Sequence, residues 1–258
     1  MKFSIITINF NNRSGLQRTI DSVISQDYRD YEWIVIDGGS NDGSREVIEH
    51  HQSLFRYWVS EPDGGVYDAM NKGIRVSTGE YCLFMNSGDA FADAKVLSEV
   101  ASINDKSEII AGHVTETTGK MIAPPPSLHF RLLYHNNIPH QGEFIKRELF
   151  ESLGLYSTDL RILSDYEFNI KAALRTVSYH MIPRNVSIVE AGGMSMTMGD
   201  RICTERKIVF SRLLPKSVLE DYEYWLNPAS FSNPVILRLV QWPKMVKALG
   251  FFFKMVAK

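Results

Sequence analysis

The amino-acid sequence predicts an α/β fold: a mostly parallel, Rossmann-like sheet flanked by helices, with a helical appendage at the C-terminal end. Short β-branched runs alternate with helix-period segments over the first hundred residues. Each run stops at a loop rich in Gly, Asn or Asp. Hydrophobic residues make up 44% and charged residues 22% of the 258, with only 10 Pro. That balance excludes a disordered, collagenous or disulfide-stapled chain and fits one main domain.

Phe3 to Ile8 (FSIITI) is a β-branched run bounded by Asn, hence a strand. From Ser14, the residues Leu16, Ile20, Val23 and Ile24 share one stripe of a helix. The alternation continues with Trp33 to Ile36 as strand, Ser44 to His51 as helix, Phe55 to Val59 as strand, Val66 to Val76 as helix and Tyr81 to Met85 as strand. Farther on, Glu108 to Ala111 and Gly142 to Lys146 read as strands and Asp165 to Leu174 as a helix. Strands separated by helices of this length wind right-handed into a parallel sheet, and ligands of such sheets sit beyond the carboxyl ends of the strands.

Those ends are polar: Thr7, Asn9 and Asn11 after the first strand, Asp37-Gly38-Gly39-Ser40-Asn41-Asp42-Gly43 after the second, Glu61-Pro62-Asp63-Gly64-Gly65 after the third, Asn86-Ser87-Gly88-Asp89 after the fourth. Asn, Asp and Gly are also ordinary turn and cap residues. Four such loops at successive strand ends should nevertheless converge on one edge. A dinucleotide fingerprint and a P-loop are both missing from them. A carboxylate at Asp37 suits a base or ribose donor edge, and one at Asp89 suits a divalent cation neutralising a diphosphate. Together they read as a sugar-nucleotide site.

Cys82 and Cys203 lie too far apart for a local zinc pattern and read as packing residues. The first ten residues lack the features of a secretory leader, and no run nears the ~20 apolar residues of a spanning helix, so a cytoplasmic body is expected. The net charge of -2 conceals an asymmetry. From Tyr224 onward there are five basic residues and no acid, leaving 23 of the 28 basic residues against all 30 acidic ones in the body. An acidic body argues against nucleic acid as a partner.

At this point the chain resembles the glycosyltransferases of family 2, which have the GT-A fold. FSIITINFNN is similar to the family's first strand, WIVIDGGSNDGS to its nucleotide-binding loop, and EPDGGVYDAMNKGIRVSTGEYCLFMNSGD to the central stretch that ends at its metal motif. A weaker continuation runs through IPHQGEFIKRELFESLG, LRILSDYEFNIKAAL and GGMS. Within the family, the chain resembles in particular the bacterial enzymes of exopolysaccharide and colanic acid synthesis, through its DGGSNDG and NSGD segments. The resemblance implies a nucleotide-diphosphate sugar, UDP- or GDP-linked, as donor. It implies that Asp37 contacts the base with Thr7 and Asn9 in the same pocket, and that Asn71, Asn86 and Ser87 also serve the donor. Asp89 would hold Mn²⁺ or Mg²⁺, although Asn86 and Gly88 stand where the family has acids, and Met70 stands where many members have Arg. His140 and Gln141 would lie beside the acceptor or the diphosphate. Asp165, in Ser164-Asp165-Tyr166, would be the general base of an inverting transfer, and Gly192-Gly193-Met194-Ser195 a loop closing over the donor.

The resulting division is a transferase domain over residues 1–215, with a donor half to residue 100 and an acceptor half from 101, and a basic helical tail over 216–258. In a helix, Lys244, Lys247, Lys254 and Lys258 fall within about an 80° arc opposite Met245, Val246, Leu249, Phe252, Phe253 and Val256. Such a helix suits an anionic membrane surface, where a lipid-linked glycan acceptor would be met at the inner face of the cytoplasmic membrane. It suits equally well packing on its own domain or on a second copy in a homodimer. A non-catalytic sugar-nucleotide-binding subunit of a polysaccharide assembly complex is the alternative to a transferase.

Overall fold

The computed structural model describes residues 2–103, 105–134, 136–191 and 199–226. In chain order its elements are β1 (Phe3–Asn9), α1 (Arg13–Ile24), β2 (Tyr31–Asp37), α2 (Ser44–His50), β3 (Tyr57–Ser60), α3 (Val66–Val76), β4 (Tyr81–Phe84) and β5 (Ala90–Phe91). There follow α4 (Val96–Ser102), β6 (Ile109–Glu116), β7 (Met121–Ile122), α5 (Phe130–Leu133), β8 (Glu143–Lys146), α6 (Arg147–Ser152), α7 (Ser164–Leu174), β9 (Tyr179–Val189), α8 (Gly199–Leu213) and α9 (Lys216–Leu226). Single 3₁₀ turns precede β3 and β8.

The strands form one sheet in the order β3-β2-β1-β4-β8-β6-β9-β5, with β7 beside β6. The first four strands pair parallel, as the alternation predicts. β8 then enters antiparallel to both β4 and β6. Among the described residues the one α-helix between β6 and β8 is the four-residue α5, too little for a crossover helix, so antiparallel pairing is the arrangement left to the strand. β9, eleven residues long, closes back parallel to β6.

β1 is buried at all seven positions, as befits a central strand covered on both faces. One face packs Phe3, Ile5, Trp33, Val35, Leu83 and Phe144 against Leu16, Ile20 and Val23 of α1. The other receives α3, whose Gly73 lies so close to β1 that an added Cβ would come 2.4 Å from Ile6 Cγ2. Beyond it, Phe84, Phe150, Tyr156 and Phe168 form an aromatic cluster under α7.

The chain separates into two compact units, Met1–Arg206 and Lys207–Lys258. Among the described residues no helix is long and apolar enough to cross a membrane. The Gly192 to Ser195 segment and the Lys244 to Lys258 helix lie outside the described residues.

Candidate active site

The loops after β1 and β2 are laced together by their own polar side chains. Asp37, fully buried at the end of β2, accepts from Asn9 Nδ2 (2.7 Å) and Ser40 Oγ (2.5 Å) on Oδ1, and from Ser40 N (3.0 Å) and Ser60 Oγ (2.6 Å) on Oδ2. Burial raises its pKa, and the bonds from Ser40, Ser60 and Asn9 outweigh that, leaving the carboxyl below its ordinary range. Asp37 therefore stands where the sequence puts it but is saturated by protein donors, and a nucleotide base could reach it only by displacing one of them. Thr7 does not line the site: the strand's alternation turns it to the α1 face, where its hydroxyl accepts from Trp33 Nε1 at 3.0 Å. Asn71 is likewise spent on structure, its amide donating to Tyr156 O (2.8 Å) and accepting from Tyr156 N (3.0 Å).

The Asn86–Asp89 turn is pinned beneath α1. Gly88 takes φ +103°, a conformation that favours glycine, and its N–H donates to Thr19 Oγ1. Ser87 Oγ donates to Asn12 O, and Asn12 Nδ2 returns a bond to Ser87 O. Asp89 is 7% exposed. Burial pushes its pKa up to about 6, with His140 and Gln141 drawing it back.

A cleft of about 920 Å³ runs past these loops. At one end it is lined by Asn9, Phe10, Gly38, Pro62 and Asp63, at the other by Thr158 to Arg161 and Arg201, and between them by Tyr67, Asn86 and Ser87. Phe10 is 66% exposed, a large aromatic face that packing does not require. Asp63 keeps one oxygen on Gly65 N. Glu205, buried on α8, accepts from the N–H groups of Arg161, Ile162 and Leu163 and from Arg201 Nε, so one carboxylate sets both arginines on the cleft wall.

Asp165, at the first turn of α7, is 6% exposed. Its Oδ1 accepts from Tyr67 Oη (2.9 Å) and Tyr166 N (2.8 Å), its Oδ2 from Asn137 Nδ2 and His140 Nδ1 (3.2 Å each). His140 Nε2 lies 3.0 Å from Asn86 Nδ2. An amide nitrogen can only donate, so Nε2 accepts, Nδ1 carries the ring proton, and His140 donates it to Asp165. The structure thus joins Asn86, His140 and Asp165 in one chain of hydrogen bonds.

Two buried oxygens of this turn, Asn86 Oδ1 and Asp89 Oδ2, have no hydrogen-bond partner. Oxygen donors of this kind fit a hard cation whose shell is completed by substrate phosphates. Among the described residues no group of three His, Cys, Asp or Glu side chains could hold a metal by itself.

The model of the family "Glycosyl transferase family 2" matches residues 4–165. The chain belongs to glycosyltransferase family 2. A PGL/p-HBAD biosynthesis glycosyltransferase of Mycobacterium bovis is 31% identical over 252 residues, 92% of this chain and 95% of that one. Among solved structures, Staphylococcus aureus TarS 1-349 in complex with UDP-GlcNAc superposes with a TM-score of 0.63 at 19% identity, over 74% of this chain and 58% of that one, so this chain spans less than two thirds of it. The mannosyltransferase PcManGT from Pyrobaculum calidifontis, in complex with GDP-Man and Mn²⁺, superposes with a TM-score of 0.61 at 19% identity, over 99% of this chain and 80% of that one. As a family 2 glycosyltransferase with the GT-A fold, the protein is an enzyme. Its cleft is lined by Phe10, Tyr67, Arg161 and Arg201, which sequence patterns do not single out, and Asn137 on Asp165 and Glu205 behind the arginines are equally silent in sequence. Arg201 and Glu205, four apart, read in sequence as a surface helix pair, and Tyr67 as an apolar position of α3.

Proposed function

We propose that the enzyme transfers a sugar, with inversion, from a UDP- or GDP-sugar to a hydroxyl of a lipid-linked glycan in bacterial surface polysaccharide synthesis. The observation that carries this reading is the placement of Asp165. It is a buried carboxylate tied through His140 to the Asn86–Asp89 turn, while the neighbouring residues Leu160 and Arg161 line the cleft. In this reading the base stacks on Phe10 within hydrogen-bond reach of Asn9 and Asp63, and the diphosphate lies between the Asn86–Asp89 turn and the guanidinium groups of Arg161 and Arg201. Asn86 and Asp89 would hold Mg²⁺ or Mn²⁺, which supplies charge neutralisation for the departing diphosphate. Asp165 takes the proton of the acceptor hydroxyl on the face of the sugar opposite the diphosphate. Its oxygen Oδ2, with the two longer bonds, is the one that can exchange a protein donor for the acceptor. The UDP-GlcNAc and GDP-Man bound by the two structural neighbours support the donor class. The basic segment Lys244 to Lys258 would then keep the enzyme at the inner membrane face.

The test is Asp165→Asn, measured by thermal shift with UDP, GDP and their sugars, with and without Mn²⁺, alongside UDP or GDP release from UDP-GlcNAc and GDP-mannose in the presence of a lipid-linked glycan acceptor. Retained nucleotide shifts with lost turnover are expected. Unchanged turnover would overturn Asp165 as the base. Nucleotide binding with no turnover even in the wild type would favour a binding subunit.

A further inference from the structure

The Tyr67 hydroxyl faces two acceptors: Ile162 O at 2.6 Å and Asp165 Oδ1 at 2.9 Å. A phenol has one proton, so only one of these bonds is made at a time. Neither alternative is supplied by water, since Tyr67 is 5% exposed and Asp165 6%. The carbonyl of Ile162 cannot change its charge; Asp165 can. A donor chooses the carboxylate when it is ionised, because charge-assisted hydrogen bonds are roughly twice as strong as neutral ones, and the closer carbonyl when it is not.

We propose that Tyr67 is a positioning residue for Asp165, its hydroxyl a rotor that points to the carboxylate before sugar transfer and to the Ile162 carbonyl once Asp165 is protonated. The proposal rests on Asp165 being the base. In the transfer step the acceptor O–H bond breaks and its proton passes to Asp165 Oδ2. The freed electron pair bonds to the anomeric carbon, and the anomeric C–O bond breaks with its pair leaving on the diphosphate. Tyr67 keeps its own proton throughout. Tyr166 N holds Oδ1 in either state, so the rotor changes the charge balance around Asp165 without moving the side chain. The titratable groups facing Asp165 are Tyr67 from α3, His140 from the turn before β8, Glu143 on β8 and Tyr156 from the loop before α7. Among them Tyr67 alone has a second acceptor for the proton it donates to Asp165, so it favours the ionised base without locking it.

The experiment is a carbon-13 NMR titration of the aspartate carboxyls in the full chain, with the Asp165 signal assigned by its loss in Asp165→Asn. In Tyr67→Phe the Asp165 midpoint is expected to rise, because the ionised carboxylate loses a charge-assisted donor. UDP or GDP release on sugar transfer to an added lipid-linked glycan acceptor should lose its acidic limb at correspondingly higher pH. An unmoved midpoint in Tyr67→Phe overturns the proposal. Wild-type release by Asp165→Asn overturns the base assignment instead, whatever the midpoint does. Should Tyr67→Phe fail to fold, 3-fluorotyrosine at position 67 keeps the shape and strengthens the donor. It is expected to lower the midpoint, and no change there is equally decisive against the rotor.

Discussion

Glu143 is 1% exposed at the start of β8, and its Oε2 accepts from Asn169 Nδ2 at 3.2 Å. The other oxygens of both side chains, Glu143 Oε1 and Asn169 Oδ1, are buried with no partner. One proton on Oε1 satisfies both, closing a two-bond ring between a carboxylic acid and an amide. Burial drives the Glu143 pKa well above the carboxylate range, the Asn169 bond draws it back in part, and the negative charge of Asp165 adds to the rise. The folded state therefore keeps a proton that the unfolded chain gives up. The stabilisation is complete below the unfolded pKa and is lost as pH rises toward the folded one, at up to about 1.4 kcal/mol per pH unit. Glu143→Gln preserves both bonds without a titrating group, its amide donating to Asn169 Oδ1 and accepting from Asn169 Nδ2. Urea unfolding at pH 5 should find the two proteins within about 1 kcal/mol. By pH 7 the variant should be ahead by about 2–3 kcal/mol, a Tm gain of roughly 4–10 °C. Other titrating groups are common to both proteins and cancel in the difference. Stability curves that stay parallel from pH 5 to 8 would refute a neutral Glu143.

Three other outcomes follow from the geometry. Gly73→Ala should lower stability by about 1–3 kcal/mol in thermal unfolding, because the new methyl overlaps Ile6 and α3 must lift from β1. Asp37→Ala should cost about 3 kcal/mol by leaving Asn9, Ser40 and Ser60 without their acceptor. In the wild type, the contribution of Asp37 is present above the ordinary carboxylate pKa and lost as pH falls through its lowered folded value, so the penalty should shrink in acid. Asp89→Asn should abolish any Mn²⁺-dependent increment in the UDP or GDP thermal shift while leaving the metal-free shift, and an increment that survives would remove Asp89 from the cation site.

Much of the first hundred residues is legible from local pattern. The runs at Phe3 and Trp33 and the helix at Val66 depend on side-chain periodicity within a few residues, and the structure reproduces the last of these to the residue. A short turn such as Asn86–Asp89 is likewise a local signal, as is a carboxylate at the start of an amphipathic helix. Strand partners are not. β8 reads as a strand, yet its place between β4 and β6 depends on the absence of a crossover helix, and β5 and β7 are two-residue pairings that no periodicity announces.

The chemistry divides the same way. Residue type and position by themselves determined that Asp37 and Asp89 belong at strand ends on one edge of an α/β sheet and Asp165 at the start of a helix. What each can do was decided by donors from distant parts of the chain. Asn71 is claimed by the Tyr156 backbone, Thr7 by Trp33, and Asp165 by a tyrosine 98 residues away. A buried polar atom must find a partner, and the partner is whichever group the packing brings within about 3 Å. Sequence spacing carries no record of that distance; the tertiary fold sets it.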